Sequence, residues 1–192
     1  MNKREFLATS GLSLGAAVLV LSGCTTTPLS SSPKGAAKKK EIDAGVNATL
    51  SRLYSTVSGS HELVNKARGV LVFPSVLAAG FVVGGQYGEG ALRVGGRSVD
   101  YYSTVTGSFG LQIGAQSKAV IFLFMTQQAL DKFMGSEGWT AGVDASVALI
   151  KVGANGVLDT STAMGPVNAI VMTNQGLMAN LSVEGTKVSK LK

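Results

Sequence analysis

From residue 42 onward, apolar side chains recur at Ile42, Val46, Leu50, Leu53 and Val57, with spacings of four, four, three and four. That period lines them along one face of a helix, and Gly59 ends it. Ser60 is placed to cap a second short helix through Ala67, with Glu62 near its positive end and Gly69 suited to its C-terminal turn. The first helix has a single apolar face, which either packs on a core or lies in a membrane interface. Core packing is the expected role.

After Gly69 the texture becomes β. Apolar and small residues run through 70–74, 80–94, 99–107, 108–116 and 119–125. In the fourth run Phe109, Leu111, Ile113 and Ala115 alternate with Gly110, Gln112, Gly114 and Gln116, the period of a half-buried strand. Gly95-Gly96 and Gly107 supply turns. Residues 119–125, apolar on both faces, predict a central strand. Residues 127–134 read as a short helix with Ala129, Leu130 and Phe133 on one side, and further strands are expected near 142–152, 157–164, 167–173 and 177–184. The fold class is α+β: a mainly antiparallel, strongly curved sheet or partly closed barrel, with two N-terminal helices and one short inserted helix. The many strand glycines suit tight bends and close approach of backbones.

The N-terminus has a different pattern. Lys3 and Arg4 precede an apolar stretch over residues 12–21, and Leu21-Ser22-Gly23-Cys24 leads into Thr25-Thr26-Thr27-Pro28. Basic, apolar and small residues in that order form a secretory signal. The apolar run is about half of the roughly 20 residues a membrane-crossing helix needs. Leu21, Ser22, Gly23 and Cys24 together resemble a lipobox, so residues 1–23 are expected to be removed and Cys24 to be lipidated. Lys3-Arg4-Glu5-Phe6-Leu7 also looks like a degenerate twin-arginine signal, and both export routes remain open. Residues 24–40, rich in Thr, Ser, Pro and Lys, read as a lipidated cysteine with a disordered tether. Its sixteen residues after Cys24 span about 20–24 Å root-mean-square. Residues 41–192 form one domain. Cys24 is the only cysteine, so no internal disulfide supports that domain.

The net charge of +6 divides unevenly: +1 in the signal, +4 in residues 24–40 and +1 in residues 41–192. A nucleic-acid binder carries its basic footprint on the folded domain, so nucleic acid is excluded as the expected partner. The three consecutive lysines Lys38, Lys39 and Lys40 read as a solubilising run or as an attraction to anionic headgroups.

Catalytic chemistry is sparse. His61 is the only histidine, and no cysteine or carboxylate cluster stands at metal-ligand spacing. No GxSxG elbow occurs, and His61 sits at a helix start, so a catalytic triad is not expected. Glu89 and Asp100 are candidates to face each other across a hairpin, a pairing that chance explains equally well. Gly80, Gly84, Gly85, Gly88 and Gly90 match neither phosphate-loop spacing and are read as sheet-bending glycines. Trp139 is expected at a core edge rather than at a headgroup interface. The expectation is no enzyme, no cofactor and no metal.

Lys66-Ala67-Arg68-Gly69-Val70-Leu71-Val72-Phe73-Pro74, then Ala79-Gly80-Phe81 with Gly84-Gly85 and Gly88-Glu89-Gly90, then Gly110-Leu111-Gln112-Ile113-Gly114-Ala115-Gln116, resemble the SYLF domain family over about residues 46–190. That family includes eukaryotic lipid-binding proteins, some of which also bind actin filaments, and many bacterial lipoproteins. The resemblance implies binding to phosphoinositides or other anionic lipids through an N-terminal amphipathic helix and nearby basic residues. Carried over by position, the candidates are Arg52, Lys66 and Arg68, with Lys118 added. Val152-Gly153-Ala154 stands where eukaryotic members tend to carry a Gly-Pro turn, and no SH3 or FYVE segment is recognisable, so actin binding is not carried over.

The expected function is therefore a non-enzymatic, lipid-binding envelope lipoprotein. Cys24 would anchor it to the outer membrane facing the periplasm, since Thr25 rather than Asp follows the cysteine. The alternative is a structural or protein-partner-binding envelope lipoprotein whose only lipid contact is its anchor.

Overall fold

The computed structural model describes residues 33–80, 83–109, 116–150, 165–173, 176–177 and 183–192. Cys24, the signal and the expected strand at 157–164 lie outside the described residues. Among the described residues three helices and nine strands follow in the order α1 (Pro33–Thr56), α2 (Ser60–Lys66), β1 (Gly69–Gly80), β2 (Val83–Val94), β3 (Arg97–Phe109), β4 (Gln116–Phe124), α3 (Gln127–Met134), β5 (Gly138–Thr140), β6 (Val147–Leu149), β7 (Val167–Thr173), β8 (Gly176–Leu177) and β9 (Lys187–Lys190).

The five apolar positions at helical spacing all face inward: Ile42, Val46, Leu50, Leu53 and Val57 are each less than a tenth exposed. The face packs on the sheet, as expected. The helix starts at Pro33, within the segment read as tether. Proline suits this start because its fixed φ is helical and the amide it lacks would have had no intrahelical acceptor there. Ser60 is not the cap of α2. Gly59 occupies that position in the left-handed conformation (φ 81°), and the buried Ser60 hydroxyl instead donates toward the carbonyls of Val57 (2.6 Å) and Leu53 (3.2 Å). That bond ties the start of α2 to the end of α1.

The strands form one sheet in the order β5-β9-β3-β2-β1-β4-β7-β6, with β8 beside β7. Every pairing between these strands is antiparallel except β6 with β7. The sheet is rolled. Trp139 on β5 and Phe122 on β4 stand five strand positions apart, about 24 Å on a flat sheet, yet their ring centroids are 5.5 Å apart. The inner face encloses Leu71, Phe73, Leu92, Phe122, Phe124 and Val171 with Phe133 of α3 and Trp139. The outer face presents Val70, Val72, Ala91, Ile121, Leu123 and Ile170 to α1. β4 lies between β1 and β7 and is buried on both faces, which is why its sequence is apolar without alternation.

Three strand boundaries differ from expectation. β1 does not stop at Pro74 but continues to Gly80, because the residue sits in a bulge between Val72 and Ser75, where the ladder does not need its missing amide. Gly107 is not a turn residue but lies inside β3, opposite Gly85. The turn between β2 and β3 is at Gly95 and Gly96, whose φ values of 57° and 79° fit a two-residue hairpin loop. β5 and β9, two short strands, were not legible in the pattern. Of the other expected strands, 142–152 is reduced to β6 plus a bridge between Ala141 and Ala145, and residues 178–182 and 110–115 lie outside the described residues.

Two of the clustered glycines have a steric reason to be glycine. A Cβ on Gly88 would lie 2.8 Å from the Ser75 carbonyl oxygen, and one on Gly90 would overlap the Val72 carbonyl oxygen. Both sit against the Pro74 bulge, so β2 can follow β1 closely only without side chains there.

Candidate functional site

α1 packs on the outer face and is pinned at polar points along its length. Lys38 Nζ meets a Glu89 carboxylate oxygen at 2.8 Å, and Asp43 accepts from Ser98 Oγ (2.6 Å) and Tyr101 OH (2.9 Å). Asn47 accepts from Arg93 Nη2 at 2.7 Å, and Lys39 Nζ lies 5.4 Å from the centre of the Tyr101 ring. The hydrogen bond to Glu89 raises the Lys38 pKa above its usual value. Burial, helped by the bond to Asp43, pushes the Tyr101 pKa up to about 12.

Where Gly45 touches Pro74, the seam between helix and sheet opens into two grooves. The first, about 460 Å³, is lined by Lys38, Ile42, Leu77, Tyr87 and Glu89 among others. In it the partly exposed Lys38 pairs with Glu89, whose other oxygen accepts the Tyr87 hydroxyl at 2.9 Å, and lies 3.8 Å from a carboxylate oxygen of the exposed Glu41. The second, about 290 Å³, is lined by Gly45, Ala48, Thr49, Arg52, Pro74, Ser117, Lys118 and Ala119. Among the described residues its lining has two cations and no carboxylate. Burial lowers the Lys118 pKa, and among the described residues its ammonium has no hydrogen bond or ion pair. At the rim, Ser117 and Ser75 share a hydroxyl–hydroxyl bond of 2.9 Å. The described lining, Arg52 and Lys118 with hydroxyl and small residues, suits an anion, to which a charged hydrogen bond contributes about 1.5–3 kcal/mol.

The four basic residues predicted from the sequence fall into two places. Arg52 and Lys118 line the same groove. Lys66 and Arg68 do not join them. Lys66 is exposed on α2 and pairs with Glu62 at 2.7 Å, while the backbone of Arg68 donates to the Phe124 carbonyl at 2.8 Å. Phe124 is six residues beyond Lys118 on β4, about 20 Å along an extended strand. Other parts of the wall, Thr49, Pro74 and Ser117 among them, carry no signal in the sequence, since small and hydroxyl residues become a site only when a fold gathers them.

The remaining candidates have plain structural roles. Glu89 and Asp100 are not partners: Glu89 stands opposite Ser103, and Asp100 pairs with Lys190 at 2.8 Å. His61 is exposed, with its Nδ1 3.2 Å from Asn65 Nδ2 and its ring edge-on to Tyr54. Trp139 is buried in the aromatic cluster with Phe122, Phe124 and Phe133. Among the described residues no group of three or more His, Cys, Asp or Glu could hold a metal ion, and no helix is long and apolar enough to cross a membrane.

Compared with known proteins, residues 105–192 match the family model Ysc84, described as Las17-binding protein actin regulator. That segment runs from the middle of β3 through β4, α3 and the strands that close the roll, and includes Lys118. No curated protein matches the chain. The match agrees with the ordered motifs at residues 66–116, and the family it points to is associated with lipid and with actin or other protein binding. This segment, a little under half of the chain, is thus similar to the SYLF domain family, consistent with the resemblance of the motifs that precede it.

Proposed function

We propose that this protein is a non-enzymatic, membrane-anchored module that binds anionic lipid headgroups in the groove between α1 and β4. The observation that carries the reading is one groove lined by Arg52 and the half-buried Lys118, with no acid among the described lining residues. An anionic phosphate there restores what burial removed from the lysine. Lys66 and Arg68, some 20 Å away, act as peripheral attraction to a charged surface, where a screened cation contributes about 1 kcal/mol or less.

In this proposal the mature chain starts at Cys24, carries acyl chains there and sits on the periplasmic face of an outer membrane. Acyl chains contribute about 0.8 kcal/mol per buried CH₂, so they supply residence and the groove supplies selection among headgroups, phosphoinositides or other anionic phospholipids. The test is flotation of residues 24–192 carrying Cys24→Ser with vesicles of phosphatidylglycerol and phosphatidylcholine, against phosphatidylcholine alone. Binding to the anionic vesicles only, weakened by salt, supports the reading; equal or absent binding to both removes it.

The second reading, a protein-partner-binding envelope lipoprotein, draws on the matched family's own description as a Las17-binding protein. It requires no lipid binding by the domain once Cys24 is replaced.

A further inference from the structure

The first nine residues of α1, Pro33 to Glu41, are helical against their local chemistry. Lys34 stands in the first turn, where no acid complements the positive end of the helix, and Lys38 follows it at the i,i+4 spacing that brings like charges together. Gly35, in the same turn, lowers helix propensity. Burial offsets little of this. The inward apolar positions begin at Ile42, and of the nine residues before it Gly35 alone is buried.

Two adjacent lysines tie this stretch to the sheet. Lys38 Nζ meets a Glu89 carboxylate oxygen of β2 at 2.8 Å, with the two side chains 41% and 22% exposed. Lys39 Nζ stands 5.4 Å from the centre of the Tyr101 ring on β3. An ion pair this open to water is weak and screened by salt. Glu41, 3.8 Å from the same ammonium and on the same helix, keeps Lys38 company when Glu89 is lost. Firm docking starts just beyond: Asp43 accepts from Ser98 and Tyr101, Gly45 rests on Pro74, and Ile42, Val46, Leu50 and Leu53 are buried. A stretch with almost no buried apolar surface, joined to one with a continuous buried face, opens locally at low free energy while its neighbour stays closed.

We propose that Pro33 to Glu41 is a releasable strap. Clasped by Glu89 and Tyr101 it extends α1; unclasped it lengthens the connection between the domain and Cys24. Helix and tether are then two states of one segment. The consequence is one of reach. Pro33 lies nine residues after Cys24, at most about 32 Å of extended chain, and Ile42 lies eighteen residues after it, at most about 65 Å. Clasped, the sheet is confined to the shorter distance from the anchor; released, it reaches partners about twice as far from the membrane. Release also withdraws Lys38 and Glu41 from the wall of the larger groove. The role in reach rests on the Cys24 anchor of the proposed function, whereas the strap itself does not.

The test follows hydrogen exchange in residues 24–192 carrying Cys24→Ser. Amides of residues 37–41 exchange at least tenfold faster than those of residues 46–53. Glu89→Gln speeds the first group a further fivefold or more while the second group and the melting temperature stay near native. Lys34→Glu, which gives the first turn its acid, slows the first group. Simple fraying of a helix end answers to Lys34→Glu but is indifferent to a change on β2, so unaltered exchange in Glu89→Gln overturns the proposal, as does equal protection along α1. Independently, nitroxides on Ala37→Cys and Val105→Cys, both exposed positions, give two distances by double electron–electron resonance, the longer gaining population at high salt. A single distance that salt does not change overturns the strap and decides the matter should Glu89→Gln fold poorly. Mass spectrometry of the full chain extracted from membranes separates strap from anchor: a Cys24 without acyl chains overturns the role in reach together with the anchored part of the proposed function, whatever the exchange shows.

Discussion

Gly45 of α1 rests so closely on Pro74 of β1 that a Cβ added to the glycine would lie 3.0 Å from the proline Cγ. This contact sets the height of the helix above the sheet, and both grooves open beside it. Gly45→Ala trades a gain in helix propensity of about 1 kcal/mol against crowding on a ring fixed in a bulge, and is expected near neutral. Gly45→Leu has no room. It should destabilise by about 1–3 kcal/mol in urea denaturation and weaken vesicle binding, because the side chain fills the grooves from which the headgroup is read.

Trp139 holds the roll closed by packing the three-residue strand β5, which follows α3, against β4. Its ring lies within 5.5–6.2 Å, centroid to centroid, of Phe122, Phe124 and Phe133. Trp139→Ala is expected to cost about 3–5 kcal/mol, measured by chemical denaturation. Loss of the near-ultraviolet aromatic signal together with protease sensitivity near β5 and β9 identifies the sheet edge as the part that opens.

All four tyrosines have raised pKa values: Tyr54 by burial, and Tyr87, Tyr101 and Tyr102 to about 12, burial again being the leading cause. A raised phenol favours the protonated fold, so its contribution is fully present below the unfolded pKa of about 10 and is lost as pH rises toward 12. Absorbance at 295 nm should therefore show little tyrosinate at pH 10, and stability should fall between pH 10 and 12. Tyr101→Phe, which removes the bond to Asp43, should make that fall shallower.

Lys118 opposes stability in the free protein, because burial disfavours its charge. Its folded pKa is lowered, so folding is penalised wherever the unfolded lysine is charged, and the penalty fades as pH rises toward the unfolded value of about 10.4. Lys118→Met keeps the stem and removes the charge. The variant should melt at or above the native temperature while its binding to anionic vesicles falls about tenfold, a separation that distinguishes a binding residue from a structural one.

The helical stripe of α1 was legible because a single period of buried positions, 42 to 57, faced one surface, and β4 was legible because both its faces are buried. β5 and β9 were not, since three or four residues are too few to show a period, and they exist because Trp139 and Val188 insert into the inner core. Pro74 misled in one direction and Gly107 in the other: the bulge absorbs a proline that usually ends a strand, and the sheet surface tolerates a glycine that usually marks a turn. Of the site, Arg52 and Lys118 were named as separate charges. Their lining of one groove depends on α1 packing on β1 where Gly45 meets Pro74, a long-range contact that no local pattern encodes.

The claim that a groove, rather than diffuse basic charge, reads anionic lipid is tested most directly by comparing two double variants of residues 24–192 with Cys24→Ser on phosphatidylglycerol vesicles. Both remove two positive charges, so they change net charge equally. Arg52→Ala/Lys118→Ala is predicted to lose binding tenfold or more, about 1.4 kcal/mol or above, while Lys66→Ala/Arg68→Ala stays within about threefold of native, as exposed, screened charges should. Equal losses from the two pairs, or a larger loss from Lys66 and Arg68, would contradict the groove and leave only a charged surface.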